Sequence, residues 1–103
     1  MNNSDLKSKE KGRIVPEVTI KHINNLVSQL KYHTYVIPNT TTTVCVAMLG
    51  DFTVAIGQTT GAGRENFDAD FSAEIAKDDA EQEAWDELWK LESYRLKFKE
   101  VLE

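Results

Sequence analysis

The stretch TTTTVCVAMLGDFTVAIGQTT, residues 40–60, decides the fold. Two runs rich in Val and Thr flank Gly50-Asp51, and β-branched side chains fit a pleated, half-buried backbone. A glycine at the first central position of a two-residue connection suits a type I′ or II′ turn. The spacing predicts strands over 40–49 and 52–60, paired as a hairpin. With Leu49 opposite Phe52, Ala47 is expected opposite Val54 and Cys45 opposite Ile56, on one side. Val44, Val46 and Met48 then lie on the other side. Both faces are apolar. One needs a helical layer, and the other needs more cover than a small chain supplies.

Upstream, Tyr32 to Ile37 is rich in aromatic and β-branched residues and is closed by Pro38-Asn39, which predicts a third strand. Before it, Ile20, Ile23, Val27 and Leu30 recur at helical spacing behind Thr19, a suitable N-cap. A short helix over about 20–30 is expected. Residues 1–17 have no periodicity and carry Lys7, Lys9, Lys11 and Arg13. They read as a flexible tail before a single domain over 18–103.

Downstream, Gly61-Ala62-Gly63-Arg64 is a loop, and Asn66 or Asp68 can cap the next helix. From Asp68 to Leu102 there is neither Gly nor Pro, which predicts one long helix. The class is therefore α+β: a short N-terminal helix, an antiparallel hairpin or three-stranded sheet, and a long C-terminal helix. That helix carries two apolar stripes. One holds Ala76, Ala80, Ala84, Leu88, Leu91, Tyr94, Phe98 and Leu102; the other holds Phe71, Ile75, Trp85, Trp89 and Leu96. A helix packed only on its own sheet needs one stripe. The second predicts a partner surface, with Trp85, Leu88, Trp89, Leu91, Tyr94, Leu96 and Phe98 as candidate contacts and self-association expected.

Length and composition narrow the function. The chain has 103 residues, 41% hydrophobic and 28% charged, which fits one globular domain. No apolar run reaches the roughly 18 residues of a membrane span. A polar start and a single cysteine fit a reducing cytoplasm. Residues 1–67 hold seven Lys/Arg and five Asp/Glu; residues 68–103 hold five and twelve. That acidic second part argues against direct nucleic-acid binding and suits a basic protein partner.

Chemistry has few anchors. His22 and His33 lack partners at metal-ligand spacing, so no metal is expected. Cys45 alternates within a strand that reads as buried, where a thiol acts as a small apolar group. The carboxylates Asp78, Asp79, Glu83, Asp86 and Glu87 read as a solvated face; the sharper reading is a row that imitates a phosphate backbone. Gly61 to Arg64 before a helix could meet an anion through backbone N–H groups and the guanidinium. Phe52, Arg64, Asn66 and Phe67 are candidate ligand contacts. No cofactor and no catalytic residue is expected.

Three segments, VTIKHINNLV, TTVCVAMLGDFTVAIGQ and ENFDADFSAEIAKDDA with LWKLESYRL, carry a resemblance. Val18-Thr19, Val44-Cys45-Val46, Phe52-Thr53-Val54 with Gly57, Asn66-Phe67-Asp68, Ile75-Ala76, Trp89, Leu91-Glu92 and Tyr94 resemble the ordered motifs of the gene-product 49/66 family of small tailed-phage accessory proteins. The chain departs from that pattern at Gln58-Thr59-Thr60-Gly61 and at Ser72-Ala73-Glu74, where family members carry E-S-A-C and a basic G-R-K. The resemblance implies a virus-encoded protein acting in the host cytoplasm by binding. The leading expectation is a non-catalytic protein that blocks a host factor. The alternatives are an oligomeric sponge for a small nucleotide signal and an acidic mimic of nucleic acid that inhibits a basic host enzyme.

Overall fold

The computed structural model describes residues 17–102, so nearly all of the expected tail lies outside the described residues. The elements are α1 (Ile20–Val27), β1 (Lys31–Val36), β2 (Thr42–Leu49), β3 (Phe52–Thr60), one 3-10 turn (Arg64–Asn66) and α2 (Ala69–Leu102). The strands form one antiparallel sheet in the order β1-β2-β3. This is the expected α+β arrangement.

Local chemistry sets the boundaries. Thr19 Oγ1 accepts the His22 amide at 3.1 Å and starts α1. That helix stops at Val27, short of the expected 30, because the chain tightens: the Leu30 amide reaches back three residues to Val27 O. Leu30 still enters the core, from the connection rather than the helix. Pro38-Asn39 forms a turn in which the Thr40 amide donates to Ile37 O and Asn39 has φ 64°. Proline followed by a left-handed Asn is the type II pattern. At the hairpin tip Gly50 has φ 59° and Asp51 is not left-handed, which selects II′ over I′. Asp68 Oδ1 accepts the Phe71 amide at 3.0 Å and caps α2.

The hairpin register differs from the expectation. Leu49 does face Phe52, but an irregularity between Ala47 and Met48 leaves Val54 without an opposite residue. Ala47 therefore faces Ala55, Val46 faces Ile56, and Cys45 faces Gly57. The physical reason is a β-bulge, an extra residue that alternation alone does not register. It lets consecutive residues Val54 and Ala55 both reach the core, and it turns Ile56 outward.

α2 lies along one face of the sheet. The core joins Ile23 and Leu30 with Cys45, Ala47 and Val54, and with Ala76, Ala80, Ala84 and Leu88 of α2. The three alanines are one turn apart and hold the helix close to the sheet. Opposite them, a Cβ on Gly57 would fall 2.5 Å from Ala76 O and 2.7 Å from Ala80 Cα, so only glycine fits. Thr43 is buried here with a hydroxyl that has no hydrogen-bond partner.

Candidate interaction surfaces

The sheet has an inner face under α2 and an outer face that no described element covers. On the outer face Val46 sits between His33 and Ile56, Val44 between Tyr35 and Gln58, and Met48 between Lys31 and Thr53. Val44 is buried yet stands apart from the main core. Ile56 and Tyr35 are 58% and 59% exposed. The result is an apolar centre with a rim of Lys31, His33, Thr53 and Gln58, the pattern of a contact patch.

Around α2, each face meets a different neighbour. Ala76, Ala80, Ala84 and Leu88 are consumed by the sheet. Trp85 is half-buried against the core and stacks on Trp89, with centroids 6.3 Å apart. Of the seven expected partner contacts, Leu88 thus belongs to the chain's own core, and Trp85, Leu91 and Leu96 are partly covered. Trp89 is 38% exposed, Tyr94 64% and Phe98 48%. Tyr94 and Phe98 continue the buried stripe and pack on each other at 5.4 Å, with no strand over them. Phe71 and Ile75 extend the second stripe, both exposed.

Two polar clusters fix the layers. His22 Nε2 donates to Glu92 Oε1 at 2.6 Å, and Arg95 donates from Nε and Nη2 to both oxygens of Glu92 at 3.1 Å. Arg95 first, and His22 second, hold the Glu92 carboxyl below its ordinary value. His22 has no partner at metal-ligand spacing in the sequence; in the fold its partner lies 70 residues on, a contact that no local pattern signals. The Tyr32 hydroxyl donates to Glu81 at 3.2 Å while Lys77 lies 5.0 Å over its ring. Burial and the nearby Glu81 charge push the Tyr32 phenol up to about 12. Cys45 is fully buried, and burial pushes its thiol up, partly offset by Lys77 and a backbone bond from His33. A protonated, enclosed thiol is a weak nucleophile.

The ligand candidates do not converge within one chain. Phe52 opens β3 at the hairpin tip, whereas Arg64, Asn66 and Phe67 come after its far end. The nine residues of β3 separate them by roughly 27 Å at the usual rise. Arg64 Nη2 donates to Asn39 O at 2.6 Å, so its guanidinium ties the loop to the β1–β2 turn. Phe67 Cδ1 lies against Gly61, 3.6 Å from where a Cβ would stand. A groove of about 410 Å³ between α1 and α2 is lined by Asn24, Val27, Glu81, Gln82, Trp85 and Asp86. Its two carboxylates disfavour an anionic ligand.

The acidic residues form no single row. Asp78, Asp79, Glu83, Asp86 and Glu87 spread round α2, and Asp79 Oδ2 is engaged by the Gln58 amide at 2.9 Å, covering the open edge of β3. Among the described residues, no three His, Cys, Asp or Glu side chains gather as metal ligands. No helix among them is long and apolar enough to cross a membrane. Residues 18–99 match the family model described as "Phage protein (N4 Gp49/phage Sf6 gene 66) family". No curated protein and no solved structure matches the chain.

Proposed function

The chain belongs to the phage protein (N4 Gp49/phage Sf6 gene 66) family, and on that footing we propose that it is a non-catalytic binding protein that occupies a host protein in the host cytoplasm. The observation that carries this reading is the uncovered outer face of the sheet. A monomeric domain gains little by leaving Tyr35 and Ile56 exposed beside half-buried Val46 and Met48. The rim of Lys31 and His33 favours a target whose own apolar patch is bordered by carboxylates.

The sponge reading has less support, because its candidate residues stand at opposite ends of β3 and Arg64 is engaged by Asn39. The nucleic-acid mimic has less again, since Asp78 and Glu87 lie on opposite sides of α2 and Asp79 is engaged by the Gln58 amide. The test is affinity capture from host lysate with wild type and Ile56→Glu, a change at an exposed side chain whose folding circular dichroism checks. A host protein held by wild type and lost from the variant is the expected result. Identical capture by both proteins overturns the reading.

A further inference from the structure

The free face of α2 has a charge order that matches its own reversal. Residues 69–87 carry eight carboxylates and one lysine, and residues 88–99 carry four basic groups and Glu92. Along the side of α2 away from the sheet runs the ridge Phe71, Ile75, Gln82, Trp89 and Ser93, at helical spacing. One flank of that ridge holds Asp79, Glu83, Asp86, Lys90 and Lys97. Every carboxylate on that flank precedes Trp89, and both lysines come after it. Asp86, Glu83 and Lys90 are exposed, and no described side chain pairs with them.

We propose that two copies of this chain associate through the Gln82, Trp89 and Ser93 part of this ridge as an antiparallel, two-fold pair of α2 helices with the axis beside Trp89. The occupant is a second copy for a reason of charge. In an antiparallel pair related by a two-fold axis, each flank meets the same flank of the partner. An axis beside Trp89 then sets Asp86 near the partner's Lys90, a contact repeated by symmetry, and brings the partner's Lys97 toward Asp79, whose Oδ2 already accepts the Gln58 amide. A parallel pair would instead set acid against acid and base against base, which is repulsive. The two indoles meet at the centre, where a flat aromatic is most useful in an interface. The sheet's outer face stays free on the opposite side, so this pairing is independent of host-protein binding.

The test is sedimentation equilibrium on the full chain. Wild type is expected to form a dimer. K90E/K97E makes the flank wholly acidic, and E83K/D86K makes it basic apart from Asp79; all four positions are exposed. Each variant alone is expected to raise the dimer dissociation constant at least about tenfold, through like-charge contact. Mixing the two variants is expected to restore a dimer containing one of each. Circular dichroism confirms that each variant is folded. A monomeric wild type, a dimer that neither variant weakens, or a mixture that fails to recover overturns the proposal.

Discussion

Two segments of one helical stripe behave differently. Under the sheet, the stripe is Ala76, Ala80 and Ala84, each fully buried; past the hairpin it becomes Tyr94 and Phe98, both exposed. The small residues let two backbones approach, and there the helix is seated by contact with Gly57. The large residues have no strand to meet. The same periodicity thus marks a seat in one segment and an unclaimed surface in the other. Periodicity states which side of a helix is apolar; residue size states how near its neighbour comes.

The contrast is tested most severely at the seat. Gly57→Val should cost about 3 kcal/mol or more, since its side chain must displace helix backbone, and chemical denaturation will measure it. Survival with wild-type stability would mean that the helix is not held there. Next, Leu88→Ala, at the last buried position of the stripe, should cost about 2–4 kcal/mol in the same assay. Beyond the sheet the expected effects shrink. Glu92→Gln should remove the pH-sensitive part of the link between α1 and α2. The folded carboxyl titrates below its unfolded value, so its stabilisation is present above that unfolded value and fades as pH falls through the lower, folded one. A denaturation series across the acid range should show wild type losing this advantage over the variant. Smallest of all, Tyr94→Ala with Phe98→Ala should shift the unfolding midpoint of the dilute chain by an amount worth about 0.5 kcal/mol or less. A loss as large as that of Leu88→Ala would show that the distal segment is covered after all.

Much of the fold was legible because its signals are local. The Thr19 cap, the Pro38-Asn39 turn, the Gly50-Asp51 tip and the unbroken run from Asp68 each act over a few residues. The bulge at Val54 was not, since alternation continues to look regular when one residue loses its partner. Gly57 showed as a motif residue, while its role as a helix seat depends on Ala76 and Ala80 arriving from another element. The outer sheet face was legible as an apolar set needing cover. The division of α2 was legible only in part: two stripes were visible, but not that α1 and the sheet would claim Trp85 and Leu88. Phe52 and Arg64 looked like members of one site because strand length was not weighed against their separation.

Cys45 lies where α2 and the sheet meet, with no solvent-accessible surface and a thiol kept protonated by its enclosure. An alkylating reagent can reach it only when those layers part. The rate of alkylation of the native chain therefore counts openings of the molecule, one chemical event per excursion when trapping outpaces reclosing. The fold carries its own stopwatch, readable by mass spectrometry without a label.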